Sequence, residues 1–148
     1  MTGITPDGFE IDRDVAAPPS AVFAAWTTAE HFARWFGGKD VRVPADRLDY
    51  KPIVGGTWSA TMVLPDGNTI DWTGDFVEIV PDERFVFTMT DRPADPQRLP
   101  ITVELSPTAG GTHMHMTQAA PTFTREQREA TIAGWQTFFD ELAAIAEA

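Results

Sequence analysis

The sequence predicts an α+β fold in which one curved antiparallel sheet of about six to seven strands wraps a single long C-terminal helix. Three observations lead there. The stretch from Thr124 to Ala148, TREQREATIAGWQTFFDELAAIAEA, has no proline and repeats Ile132, Trp135, Phe139, Leu142 and Ala146 at three- and four-residue steps. That spacing makes one apolar face of an amphipathic helix. Nearly everything before it reads as short segments of alternating polarity, the period of half-buried strands. A lone helix cannot bury its own apolar face, so the strands must cover it.

The first strand runs from Gly8 to Val15, with Phe9, Ile11, Arg13 and Val15 on one side and Glu10, Asp12 and Asp14 on the other. Arg13 is the odd member of the apolar side and is expected to pair with a carboxylate near the strand end. Ala17-Pro18-Pro19-Ser20 breaks the strand and starts a short helix through Ala21 to Trp26, because proline is tolerated in a first turn. Thr28 reads as the cap of a second short helix, Ala29 to Phe36, with Glu30 in its first turn and Gly37-Gly38 at its end.

Val41 to Tyr50 reads as a strand weakened by Pro44, hence at an edge or bulged. After the turn at Lys51-Pro52 and Gly55-Gly56, Thr57 to Leu64 alternates cleanly. Pro65-Asp66-Gly67-Asn68 signals a hairpin because Gly and Asn tolerate positive φ. The next strand, Thr69 to Val80, puts Ile70, Trp72, Gly74 and Phe76 on one face, with Glu78 next in line. Pro81-Asp82-Glu83 turns the chain into Arg84 to Thr90, where Phe85, Phe87 and Met89 alternate. Asp91 to Pro100 is the longest polar, proline-rich loop, of the kind that borders ligand sites. Strands Ile101 to Ser106 and Thr112 to Gln118 follow. Thr124 and Gln127 then fit a capping box at the start of the long helix.

At 148 residues the chain reads as one domain, 1–148, long enough to bury a core. Its 43% hydrophobic content marks it as globular, and a formal net charge of −11 spread along the chain disfavours nucleic acid and anionic membranes as partners. The absence of cysteine excludes disulfides, thiolate nucleophiles and thiolate metal sites. The N-terminal residues MTGITPDGFE lack the basic and apolar regions of a signal peptide, and no apolar run could span a bilayer. A cytoplasmic protein is expected.

Four stretches resemble a known family. They are Arg13 to Gly38, which includes Trp26-Thr27, Glu30 and Trp35; Val54-Gly55-Gly56-Thr57-Trp58 with Leu64-Pro65-Asp66-Gly67; Gly74 to Phe87; and Ala133-Gly134-Trp135-Gln136. In order and spacing they resemble the START-like or SRPBCC superfamily, the helix-grip fold. Within it they resemble the family related to the C-terminal domain of the activator of the heat-shock-protein-ninety ATPase. Ala29 stands where a proline is usual. The resemblance implies a cavity between sheet and long helix for hydrophobic or amphipathic small molecules, and no single reaction. The family's eukaryotic chaperone activators carry a further N-terminal domain that this sequence does not show, so chaperone activation is a secondary expectation.

The candidate ligand-binding set is Trp35, Trp58, Met62, Trp72, Phe76, Phe87, Met89, Met114, Met116, Trp135 and Phe139. On strand parity these fall mostly on the helix-facing side, where each reads as core packing or as pocket lining. Gly74 and Gly134 remove side-chain volume from the same region, which close packing or room for a ligand would explain. Glu78 and Gln118 extend the parity of the inward-facing residues and are the candidate polar anchors. At a strand end, either could instead meet water, and Glu78 could pair with Arg13. His113 and His115 share one strand face, but it is the face opposite Met114 and Met116, and the sequence offers no carboxylate at diagnostic spacing. No metal or cofactor is expected, and no catalytic residue is assigned. His31 reads as a surface residue.

The function expected is therefore binding of a small hydrophobic or amphipathic metabolite. An enzyme on the same cavity (a cyclase, dehydratase or hydrolase) is the alternative, and would need Glu78 or Tyr50 as a buried acid or base with Gln118 orienting it. A chaperone or stress-related interaction module, or a homodimer, stays open as well.

Overall fold

In the computed structural model, which describes residues 2–92, 94 and 98–148, eight antiparallel strands build one sheet. In chain order they are β1 (Gly3–Thr5), β2 (Gly8–Val15), β3 (Asp49–Tyr50), β4 (Thr57–Val63), β5 (Thr69–Val80), β6 (Arg84–Thr88), β7 (Pro100–Thr108) and β8 (Gly111–Ala119). Across the sheet the order is β1-β2-β8-β7-β6-β5-β4-β3. The helices are α1 (Pro19–Thr27), α2 (Ala29–Trp35) and α3 (Arg125–Ala146), with a 3-10 turn at Ala45–Arg47. No described helix is long and apolar enough to cross a membrane.

Alternation along each strand gives the sheet one apolar face. Phe9 and Ile11, Met114 and Met116, Ile101 and Val103, Phe85 and Phe87, and Trp58 and Met62 are all buried. Cross-strand register aligns them in rows, such as Ile11, Met116, Val103 and Phe85. Onto this face α3 lays Trp135, Phe139 and Leu142, while α1 and α2 add Val22, Trp26, Phe32 and Trp35. The capping box forms as expected: Thr124 Oγ1 accepts from Gln127 N at 3.1 Å, and Gln127 Oε1 accepts from Thr124 N at 2.8 Å.

Arg13 shares the apolar side of β2 and spans the gap to α3. Its Nη2 meets Asp140 Oδ1 at 2.6 Å, and its Nη1 donates to Gln136 Oε1 at 3.4 Å. The partner is thus a helix carboxylate, and Glu78 is not involved.

Several elements differ from expectation. β1 adds an edge strand, paired with β2, that the short run Gly3–Thr5 was too brief to signal. Val41 to Tyr50 forms no continuous strand. Pro44, lacking an N–H, precedes the 3-10 turn, leaving an isolated bridge between Arg42 and Val63 and the two residues of β3. Thr28 sits at the α2 N-cap, but its side chain accepts no capping hydrogen bond. Within the Asp91–Pro100 loop, positions 93 and 95–97 lie outside the described residues.

The two glycines of interest behave oppositely. A Cβ on Gly74 would lie 1.8 Å from the Thr88 carbonyl oxygen and 2.6 Å from Trp58 Nε1. Glycine there makes room for the 3.0 Å hydrogen bond from Trp58 Nε1 to that carbonyl. A Cβ on Gly134 would meet no atom within 4 Å, so close packing does not explain that residue. Gly74→Ala should therefore destabilise the fold by ~1–3 kcal/mol or more, and Gly134→Ala should stabilise it by ~0.5–1 kcal/mol through helix propensity. Denaturant melts of both variants check this; equal and opposite shifts are not required, but the signs are.

Candidate functional site: an end pocket beside a filled core

The interior between sheet and helix is occupied by side chains. Trp26 stands at its centre, with ring centroids 4.8 Å from Trp35, 5.1 Å from Phe85, 5.7 Å from Phe87, 5.9 Å from Phe139 and 6.2 Å from Trp135. Trp35, Trp58, Met62, Phe76, Phe87, Met114, Met116, Trp135 and Phe139 are all at most 4% exposed. Most of the candidate set therefore packs against itself. Sequence parity could not separate packing from lining, since both put an apolar side chain on the same face. It also passed over Trp26, which lies on a short helix rather than a strand.

Open volume survives at one end. A pocket of about 460 Å³ opens between the N-terminal half of α3, the C-terminal end of β8 and the chain leaving β6. Trp72, Met89, Arg92, Gln118, Phe123 and Trp135 are among its walls. Trp72 and Met89 are the two members of the candidate set that stay half-buried. The Trp72 indole is held at its edge, its Nε1 donating to Met62 Sδ at 3.2 Å. Gln118 faces inward with Met114 and Met116, as its parity required, and its Oε1 accepts from Trp135 Nε1 at 2.9 Å.

The other polar candidates lie elsewhere. A bulge between Phe76 and Glu78 shifts the β5 register, so Phe76 pairs with Phe87 while Glu78 pairs with Val86. One extra residue reverses strand parity. Glu78 is thereby turned to the outer face, where its Oε1 meets Arg84 Nε at 2.8 Å. Tyr50 is partly buried against the core, stacked on Phe32 at 4.5 Å, with its hydroxyl turned inward to donate to the Trp26 carbonyl. Burial pushes its hydroxyl well above the usual phenol range, so it stays protonated at physiological pH. Of the described lining residues, Asp91 and Arg92 are the titratable ones.

The outer face carries a ladder of alternating charge, in which Asp12, His115, Glu104 and Arg84 face one another across β2, β8, β7 and β6. Asp12 Oδ1 lies 2.8 Å from His115 Nδ1 and 2.9 Å from His113 Nε2, and Asp14 Oδ1 lies 2.8 Å from His113 Nδ1. Carboxylates do reach these histidines, but from a strand about a hundred residues away, which sequence spacing cannot reveal. Among the described residues no group of three or more His, Asp or Glu is arranged to hold a metal ion. His31 is half-buried rather than fully exposed, and its buried Nδ1 has no partner among the described residues.

A long helix held against the concave side of an antiparallel sheet, after two short helices, defines a helix-grip protein of the SRPBCC type. The model for the family "Activator of Hsp90 ATPase homolog 1-like protein" matches residues 16–147, and the chain belongs to that family. Solved structures agree on the fold. A protein from Chromobacterium violaceum is 22% identical, with 97% of this chain and 99% of that one covered and a TM-score of 0.82. One from Nitrosomonas europaea is 25% identical over 99% and 98% of the two chains, with a TM-score of 0.81. An AHSA1-like protein from Aeromonas hydrophila is 27% identical over 93% and 90%, with a TM-score of 0.76. No curated protein matches the chain.

The outer-face cluster makes stability depend on pH. Hydrogen bonds to Asp14 and then Asp12 raise the His113 pKa above 6.5, against the opposing effect of burial. Its contribution is complete below that ordinary value and fades as pH rises through the raised folded value. Burial would raise Asp12, but hydrogen bonds to its carboxylate, those from His115 and His113 among them, hold it well below 3.8. That contribution is complete above the ordinary carboxyl value and is lost as pH falls through the depressed one. His113→Gln should therefore melt below the wild type at about pH 5.5, with the gap closing towards about pH 9. A gap that does not change with pH in thermal melts would contradict this.

Proposed function

We propose that the protein is a cytoplasmic binder of a small apolar or amphipathic molecule, held in the pocket between the N-terminal half of α3 and the ends of β5, β6 and β8. One observation carries the reading: Trp72 and Met89 lie half-buried in the wall of a pocket of about 460 Å³, a size that suits a metabolite. The binding surface comprises Trp72, Met89, Gln118 and Phe123, with the buried Trp135 behind them in the lining. The remaining members of the candidate set, from Trp35 to Phe139, act as the rigid backing of that wall.

An enzymatic reading needs an acid or base against the reacting atoms. Glu78 and Tyr50, the two groups that the sequence offered, both lie away from the pocket. A protein-partner reading rests on a separate feature. Ile53 and Val54 are 65% exposed and Val77 54% exposed. They are brought together because Gly55 N donates to the Phe76 carbonyl and Phe76 N to the Gly56 carbonyl, each at 2.9 Å. This is a small apolar patch, and it makes interaction the second reading.

Tryptophan fluorescence and thermal shift against fatty acids, aromatic polyketides, flavonoids and sterols test the binding function. At least one class should give a saturable change with a rise in melting temperature. Trp72→Ala should weaken that response tenfold or more while leaving the free protein folded. Silence across the panel would move the function to the Ile53–Val77 patch, and an undiminished response in Trp72→Ala would move the binding site away from this pocket.

A further inference from the structure

The same pocket holds two groups whose hydrogen-bonding and stacking capacity the protein leaves unused. Gln118 belongs to a cross-strand row, Phe9, Gln118, Ile101, Phe87 and Phe76, in which it is the polar member. Its carboxamide has a defined orientation. Trp135 Nε1 lies 2.9 Å from Oε1, and an indole N–H can only donate, so the oxygen must face Trp135. The amide nitrogen then occupies the other arm, with two N–H donors. Gln118 lines the pocket, and among the described residues Nε2 has no acceptor.

Trp72 supplies the second observation. Trp26, Trp35, Trp58 and Trp135 all take part in ring–ring contacts. Among the described residues Trp72 takes part in none, although it is half-buried and pinned by its Nε1 to Met62. A ligand ring laid on the indole would supply the aromatic contact that the other four tryptophans obtain internally.

Charge narrows the ligand further. The titratable groups among the described lining residues are Asp91 and Arg92, adjacent and exposed on one loop, and the chain as a whole carries −11. A carboxylate lodged beside Gln118 would lose its hydration, and among the described lining residues the cation is Arg92, itself exposed and next to Asp91. A neutral acceptor loses far less.

We propose that the pocket selects a neutral, ring-bearing carbonyl compound, its oxygen accepting from Gln118 Nε2 and its ring lying on Trp72. This rests on the binding function proposed above and adds to it the ligand's chemical class and a specificity-determining residue.

Three probes of one shape test it: acetylnaphthalene, isopropylnaphthalene and naphthoate. Affinities are measured by fluorescence titration at about pH 8, where a glutamate is ionised. Gln118→Glu keeps an acceptor for Trp135 Nε1 but presents no donor to the ligand. Gln118→Met removes the donor without adding charge, and serves if the glutamate variant melts early. The ratio of acetylnaphthalene to isopropylnaphthalene affinity should fall about fivefold to tenfold on either substitution, and naphthoate should bind the wild type more weakly than acetylnaphthalene. An unchanged ratio in the variants overturns the proposal, as does tightest binding of naphthoate. Binding of a fatty acid or sterol but of no naphthalene overturns this inference and leaves the binding function standing. Silence of every compound overturns both.

Discussion

Trp26 is where the layers of this protein meet. The apolar stripe of α3, with Trp135, Phe139 and Leu142, must be covered, and the sheet alone cannot interlock with a smooth helix. α1 and α2 place Trp26 and Trp35 between them, so that rings from α3, β6 and the short helices touch one indole. Each large apolar side chain so buried contributes ~1.5–3 kcal/mol, and edge-on ring pairs add ~0.5–1.5 kcal/mol each. Losing the wedge would cost several of these contacts together.

Such a core is stable only if the indole N–H groups are satisfied. All five tryptophans find partners. Trp35 and Trp58 donate to backbone carbonyls at 2.8 and 3.0 Å, and Trp26 and Trp72 donate to methionine sulfurs at 3.3 and 3.2 Å. Trp135 alone uses a polar side chain, Gln118. That requirement couples the core to the pocket. A polar residue is kept on an apolar face to satisfy a buried donor, and satisfying it fixes the free end of the same amide beside open volume.

Much of the architecture was legible in local spacing. The three- and four-residue period of α3, its capping box, the Pro65–Asn68 hairpin and the inward parity of Gln118 each depend on near neighbours in the chain. The site was legible only in part. Trp72 and Gln118 were readable as inward-facing, yet nothing local distinguishes them from Trp58 or Met116, which sit on the same face and are sealed by neighbours from other elements. Family membership, once established, supports the fold and leaves the ligand to the pocket's own chemistry.

The sequence by itself determined which residues turn inward and where the long helix begins, because those follow from backbone periods of 3.6 and 2 and from side chains that cap or turn their own segment. Tertiary structure decided what those periods cannot carry. The bulge in β5 sent Glu78 outward, the β2–β8 register brought Asp12 and Asp14 onto His113 and His115, and Trp26 filled the middle of the cavity while its far end stayed open. Each of these depends on pairing or packing between residues distant in the chain, and a local period contains no information about them.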